Sequence, residues 1–496
     1  MMTSATHPNL GRLFSHVPPD RLAAIDIAPG SGGRAITYGE LDAACDAVAR
    51  GLANAGVAAG DRVGVLCLNR TEFFEILFGA LRLGAVPVPV NIKLPRDRLA
   101  SVLDDAGVRV VFTEAAFREA ADGPGRVLVD IDTDLATFKD EGPFEAIVPK
   151  PDQVSMQLYT SGTTGAPKGV LLTHSGQLWA AKTLTEHRRL QAEDRALLSA
   201  PFFHKNAIVA IKTGLFIGST LLVLPKFDIS ATVAAVRDHG ATMLTGVPTM
   251  MAMLLQRREL LDGVDTSGVR VISMGSAPAS DSLLADIGKA FPAAEVHMNY
   301  GTTEGGPIMM GWYGPDGQTQ PATSVGWPIA GCAFKLVDGP NPREGELWVK
   351  NPGVALGYYG MAEKTAERFI DGWYRTGDVL RHGEDGWFYF VGRTDDMFVV
   401  GGENVYPQEV ETLLERHPSV AQATVLPFSH EMKGMVPYAF VVAAPGATPS
   451  EDELKTYTID NGPAYAHPRR VFVVPEIPLT GTNKVDKERL KALASG

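Results

Sequence analysis

Tyr159-Thr160-Ser161-Gly162-Thr163-Thr164-Gly165-Ala166-Pro167-Lys168-Gly169 is the stretch on which the reading of this chain turns. Its three glycines free the backbone to expose successive N–H groups, four Ser/Thr hydroxyls add donors, and Lys168 supplies a cation. Together they can hold a polyphosphate in a concave nest of donors. An ordinary P-loop needs glycine before the lysine and Ser or Thr after it; here Pro167 and Gly169 occupy those places. The blander alternative is a polar turn. Against it stand the density of donors and the apolar run Val170-Leu171-Leu172 that follows.

Working outward, the first half alternates short β-branched runs with helical patterns, the rhythm of α/β layers. Strands are expected at Val63–Leu68, Val108–Phe112, Val127–Asp130, Thr220–Leu224, Val269–Ser273 and Glu295–Met298. Val86–Val90 is confined to a sheet edge by Pro87 and Pro89. A helix is signposted ahead of the first strand. Thr37 caps it, Glu40 completes a capping box, Ile36 and Leu41 form a staple, and Leu41, Cys45, Val48 and Leu52 share one face. From about Ala330, glycine-punctuated short segments indicate a β-rich subdomain. After Gly392-Arg393 the texture changes again: a helix over Pro407–Arg416, then strands at Thr424–Leu426 and Tyr438–Val442. The expected fold is therefore a multi-domain α/β protein. A large N-terminal domain of α/β layers with a β-rich subdomain spans residues 1–394, and a small α+β domain spans 395–496.

Bulk properties set limits. The chain has 496 residues, 45% hydrophobic and 21% charged, which fits a globular enzyme of roughly two to four domains. Its three cysteines (Cys45, Cys67, Cys332) are widely separated and show neither a paired framework nor zinc spacing, as in a reducing cytoplasm. Met1–Pro18 lacks a signal-peptide layout, and no apolar run approaches the roughly 20 residues of a membrane span. A formal net charge of −12 opposes general nucleic-acid affinity. A cytoplasmic enzyme, monomer or homodimer, with no nucleic-acid partner and no membrane span is the expectation.

Further motifs follow in order: Asn299-Tyr300-Gly301-Thr302-Thr303-Glu304, Tyr374-Arg375-Thr376-Gly377-Asp378, Gly392-Arg393-Thr394-Asp395-Asp396, Gly401-Gly402-Glu403-Asn404-Val405-Tyr406-Pro407, and Pro478-Leu479-Thr480-Gly481-Thr482-Asn483-Lys484. With the loop at Tyr159–Gly169, they resemble the signatures of the adenylate-forming superfamily of acyl-CoA synthetases, adenylation domains and luciferases. Counting the leading α/β region, the likeness covers nearly the whole chain. It implies an ATP-dependent, AMP-forming ligase that activates a carboxylic acid as an acyl-adenylate and passes the acyl group to coenzyme A. The small C-terminal domain would then be mobile.

The resemblance also implies roles. Thr160, Ser161, Gly162, Thr163, Thr164, Gly165 and Lys168 would hold the phosphates, with Thr303 beside them. Glu304 would ligate magnesium, as a hard cation wants carboxylate oxygen and substrate phosphates. Gly275, Ser276, Ala277 and Pro278 resemble the adenine-side loop, with Asn299, Tyr300, Gly301 and Thr302 beside it. Tyr300 would stack on adenine; the alternative is a core tyrosine. Asp378 would accept from the ribose hydroxyls with Arg393 assisting; surface ion pairing is their alternative. Asp395 matches the hinge. Gly401 and Gly402 would line the pantetheine channel. Lys484 would bridge the α-phosphate and the substrate carboxylate, offsetting charge as two anions approach; acetylation there would remove that charge. This lysine follows Asn483 where the family usually has glycine, although asparagine tolerates left-handed angles. Lys487 reads as an exposed lysine.

The acid pocket is less legible. Pro201-Phe202-Phe203-His204 resembles the family's gate, with His204 closing one side. Val247, Met274, Asn299, Gly301, Gly305 and Gly306 match pocket-lining positions, and their glycines leave volume for a small, branched or aromatic acid. Lys205 and Asn206 follow the gate. Pointing inward, either would hold a hydroxyl or second carboxylate on the substrate; otherwise Lys205 faces water. A free-standing enzyme that loads a carrier protein and a non-catalytic nucleotide-binding relative are the competing readings.

Overall fold

The computed structural model describes residues 7–27, 33–161, 167–276, 279–306, 309–400, 402–430, 433–479 and 485–495. The chain divides into two compact units: residues 1–278, 285–334 and 349–376 form one, and residues 279–284, 335–348 and 377–496 the other.

The helix Tyr38–Asn54 begins as its sequence dictates. Thr37 accepts the Glu40 N–H, the Glu40 carboxylate accepts the Thr37 N–H at 2.8 Å, and Leu41, Cys45, Val48 and Leu52 are buried. It packs on the helix Glu72–Leu83. The fully buried Arg82 of that helix reaches Asp42 and Asp46, each at 2.6 Å, and the Gly11 carbonyl at 2.9 Å, so its charge is paired.

Two sheets organise the first unit. One is parallel throughout, in the order Val86–Pro89, Arg62–Leu66, Val108–Thr113, Val127–Asp130. Its proline-bearing strand lies at the edge, because Pro87 and Pro89 cannot donate on both sides. The other has seven strands, in the order Glu295–Asn299, Val271–Gly275, Met243–Gly246, Arg195–Leu198, Thr220–Val223, Leu22–Asp26, Ala35–Thr37. All its pairings are parallel except the last. The strand expected at Val269–Ser273 is shifted to Val271–Gly275. Parallel strands deliver loops at their carboxyl ends, where open α/β sheets bind ligands. Gly275, Asn299 and Gly246 all lie at such ends.

In the second unit, Gly434–Ala443 pairs antiparallel with Val420–His430 and Phe398–Val400, and parallel with Arg470–Val473. The helices Pro407–Glu415 and Glu451–Asn461 accompany this sheet, and Val410, Leu414, Leu454, Val425 and Val441 fill its core. The expected helix and both expected strands of this region are present, the strands longer than their β-branched runs. The divide at 394/395 stays a proposal; the compact units part after Thr376. Among the described residues, no helix is long and apolar enough to cross a membrane.

Candidate active site

The phosphate-loop candidate sits at the tip of a two-stranded hairpin. Val154–Ser161 and Pro167–Thr173 pair antiparallel, with Thr160 opposite Lys168 and Ser161 opposite Pro167. A strand therefore follows the loop, where an ordinary P-loop opens a helix. Gly162, Thr163, Thr164, Gly165 and Ala166 lie outside the described residues, as does the Ser161 side chain. A Cβ on Gly169 would come within 2.6 Å of the Gln157 amide, so a larger residue there would displace that side chain.

Glu304 meets this hairpin. Its Oε1 accepts from Thr160 Oγ1 at 3.5 Å and from the Tyr358 hydroxyl at 3.3 Å, and the Lys168 ammonium lies 5.4 Å from the centre of the Tyr358 ring. Tyr358 was not singled out in the sequence; the aromatic pair in Gly357-Tyr358-Tyr359 was the signal available. Glu304 makes no ion pair among the described residues.

The loop from Asn299 to Gly306 is held through its main chain. Thr302 Oγ1 accepts the Gly305 N–H at 2.8 Å, the Glu304 carbonyl accepts the Ala355 N–H at 2.8 Å, and Asn351 donates to the Gly305 carbonyl at 2.8 Å. Gly306 adopts φ +99°, a conformation that favours glycine. The Lys205 ammonium donates to the carbonyls of Thr302 at 2.5 Å and Gly306 at 3.3 Å. Lys205 is half-buried, and of its two alternatives it takes the inward one, with its ammonium on main-chain oxygen. Burial lowers its pKa to about 7, while the Glu304 carboxylate acts the other way. Lys212, two turns along the same helix, is fully buried on Gln177 and is likewise lowered to about 7 by burial. Thr303 shares a narrow cleft with Lys205 and Lys212.

Asn299 is engaged on three sides. Its Oδ1 accepts from Arg188 at 2.8 Å and from the Trp312 indole at 2.9 Å, and its Nδ2 donates to Ser273 at 2.6 Å. Arg188, buried and stacked 4.6 Å from the Trp312 ring centre, escaped the sequence reading; only its place in His187-Arg188-Arg189 marked it. Burial lowers the Arg188 pKa to about 9. Tyr300 is buried, Gly301 exposed, and Thr302 half-buried.

The gate segment is pinned from behind. Asn69, itself buried, accepts the Phe202 N–H at 2.9 Å and donates to the carbonyls of Ala200 and Leu224 at 2.9 Å each. Phe202 packs on Phe73 and Phe74. His204 is exposed as N-cap of the helix Lys205–Ile217, its ring 4.5 Å from that of Phe203. A Cβ on Gly275 would stand 3.2 Å from Asn299 Cβ and 3.6 Å from Asn206 Nδ2, which places Asn206 beside the strand ends. Met274 is fully buried and Val247 half-buried. Ser276 takes a left-handed φ of +71°, a strained conformation of the kind found near ligand sites. Ala277 and Pro278 lie outside the described residues.

In the second unit, Asp378 and Arg393 oppose each other on antiparallel strands, and the guanidinium donates to the buried carboxylate. Arg393 also stands 3.6 Å from Asp395. Thr394 donates through N–H and hydroxyl to the Gly377 carbonyl, at 2.8 and 3.1 Å. Gly402 has φ +98°; Gly401 and Lys484 lie outside the described residues. Lys487 is exposed and pairs with Asp396 at 2.7 Å.

A family profile of AMP-binding enzymes matches residues 14–359, and one of the AMP-binding enzyme C-terminal domain matches residues 409–484. A fatty acid–[acyl-carrier-protein] ligase of Streptomyces coeruleorubidus is 33% identical over 483 residues, 92% of each chain. A feruloyl-CoA synthase from an Amycolatopsis species is 35% identical over 474 residues, 93% of this chain and 94% of that one. Among solved structures, the o-succinylbenzoate CoA synthetase of Bacillus subtilis, bound to its acyl-adenylate intermediate, superposes with a TM-score of 0.84 at 28% identity over 98% of both chains.

Proposed function

The chain belongs to the AMP-binding enzyme family, and from that premise we propose the acid it activates and the residues that do so. It is an AMP-forming acid–thiol ligase that uses ATP and coenzyme A. The acid we propose is small or aromatic, with room for a hydroxyl. Gly301 carries no side chain, Asn206 supplies a polar group beside Gly275, and similar enzymes are named for feruloyl and 2-succinylbenzoyl substrates. At Gly305 and Gly306 the space a side chain would take is filled by Met309, Tyr374 and Asn351, so those two glycines add no room for the acid. Lys205, engaged on two carbonyls, is not needed as a ligand for the acid.

One observation carries the assignment of roles: Glu304 approaches the hairpin that bears Thr160 and Lys168. Phosphate donors and a carboxylate then flank one place. ATP is held there by Thr160, Ser161, Gly162, Thr163, Thr164, Gly165, Lys168 and Thr303. Adenine lies along Gly275–Pro278 and Tyr300, with Asn299, Gly301 and Thr302 beside it, and ribose on Asp378 and Arg393. No group of three or more His, Cys, Asp or Glu side chains able to hold a metal occurs among the described residues. A magnesium ion would therefore be held by Glu304 and by the nucleotide's own phosphates, the usual habit of that ion. When bound, it neutralises phosphate charge. Glu304 suits this role because the hydroxyls of Thr160 and Tyr358, its side-chain donors among the described residues, are neutral.

The chain's own groups do the rest. Main-chain amides and Lys168 stabilise charge on the phosphate oxygens as the carboxylate attacks phosphorus. Lys484 brings a cation between the two anions. His204 closes the gate, Asp395 is the pivot, and Gly401 and Gly402 line the thiol channel. The relative named as an acyl-carrier-protein ligase favours one second reading, transfer to a carrier protein. Product mass separates the two. With ATP and a panel of short-chain, hydroxylated, dicarboxylic and aromatic acids, coenzyme A alone yields a thioester on the first reading. On the second, thioester forms only when a carrier protein is added.

A further inference from the structure

We infer that Lys205 is a positioning residue for adenylate formation: it ties the first turn of a buried helix to both ends of the loop that presents Thr303 and Glu304. This rests on the roles given above to those two residues. The turn from Thr302 to Gly306 is closed internally by a single side-chain bond, the Gly305 N–H to Thr302 Oγ1 at 2.8 Å. Lys205 Nζ reaches the carbonyls at its two ends, at 2.5 and 3.3 Å, so one ammonium fixes the span of the turn.

The anchor is firm. The helix Lys205–Ile217 buries Ala207, Ile208, Val209 and Ile211, and Asn69 fixes the segment before it. The opposite side of the turn is held by Asn351 and Ala355, through the Gly305 and Glu304 carbonyls. Glu304 is thus suspended between two braces, and Lys205 is the brace on the gate side. Burial lowers the lysine pKa to about 7, yet a neutral amine keeps two N–H groups for its two carbonyls, so the brace holds in either protonation state. A displacement of about 1 Å in such a positioned group costs about 100-fold in rate.

The experiment pairs hydrogen exchange with kinetics in Lys205→Met, which keeps the apolar stem, and in Lys205→Cys before and after aminoethylation, which rebuilds an amine of nearly lysine length. Wild-type enzyme treated with the same reagent controls for Cys332. The inference expects faster amide exchange at residues 302–306 in Lys205→Met and untreated Lys205→Cys. It also expects kcat for AMP release to fall about 10- to 100-fold with KM for the acid little changed, and both effects to be reversed by aminoethylation. Unchanged exchange at the loop overturns it. So does a lesion confined to KM for the acid, which would make Lys205 a substrate ligand. Should Lys205→Met not fold, the treated and untreated cysteine variant decides by the same two readouts. Because exchange is measured without substrate, this result stands apart from whether any acid in the panel is turned over.

Discussion

Asp378 and Arg393 are paired directly across two antiparallel strands, the guanidinium donating to a carboxylate that is buried while the arginine remains half-exposed. On the reading proposed above, the carboxylate that accepts from Arg393 also accepts from the ribose diol. Asp378→Ala should therefore weaken ATP use and unseat Arg393 together. Charged hydrogen bonds of this kind are worth roughly 1.5–3 kcal/mol, so KM for ATP should rise about 10- to 100-fold. Unchanged KM would take Asp378 out of nucleotide binding.

Glu304→Gln keeps the shape of the side chain and its hydroxyl partners Thr160 and Tyr358 but removes the charge. The magnesium concentration that gives half-maximal AMP release should increase by about tenfold or more, since carboxylate oxygen is the donor a hard cation prefers. A titration superimposable on wild type would move the metal elsewhere.

Lys484→Ala should abolish adenylate formation while leaving ATP affinity within about threefold, because a cation that acts between two reacting anions contributes mainly in the transition state. Equilibrium nucleotide binding measured beside AMP release checks both halves. Turnover at the wild-type rate would exclude the lysine.

Much of this architecture is legible in the sequence where the signal is local. Thr37 and Glu40 announce a helix start because the capping box closes within four residues. Pro87 and Pro89 place their strand at an edge because a missing N–H has only one consequence in a sheet. The hairpin around the loop is harder to read. Ser155 and Gln157 are as buried as Met156 and Leu158, so the alternation that marks a half-exposed strand is absent. Leu22–Asp26 is fixed by pairing with Thr220–Val223, nearly two hundred residues away, and nothing near it in sequence announces that. In the site, the phosphate loop and Glu304 stand out as motifs. The supports around them, Tyr358, Asn69, Arg188 and Asn351, act through contacts distant in sequence, which no spacing encodes.

The C-terminal unit carries its own pH dependence. Glu411 and Glu415, on the helix Pro407–Glu415, accept the N–H groups of Val425 at 2.8 Å and Ala423 at 3.1 Å. Burial raises both carboxyls to about 7, with those N–H bonds opposing the shift. The folded chain therefore holds these protons more tightly than the unfolded chain. The resulting stabilisation is complete below the ordinary glutamate range near 4.5 and is lost as pH rises through 7. Unfolding of this unit should occur a few degrees lower at pH 8 than at pH 6, and Glu411→Gln, which keeps an acceptor oxygen, should reduce that difference. Equal pH dependence in wild type and variant would contradict the assignment.

Exchange of radiolabelled pyrophosphate into ATP, run with magnesium and a broad panel of carboxylic acids in the absence of any thiol, tests the central claim most directly. Adenylate formation predicts acid-dependent exchange for at least one acid and, once coenzyme A is added, AMP in step with thioester. No exchange with any acid, or release of ADP and phosphate in place of AMP and pyrophosphate, would contradict it.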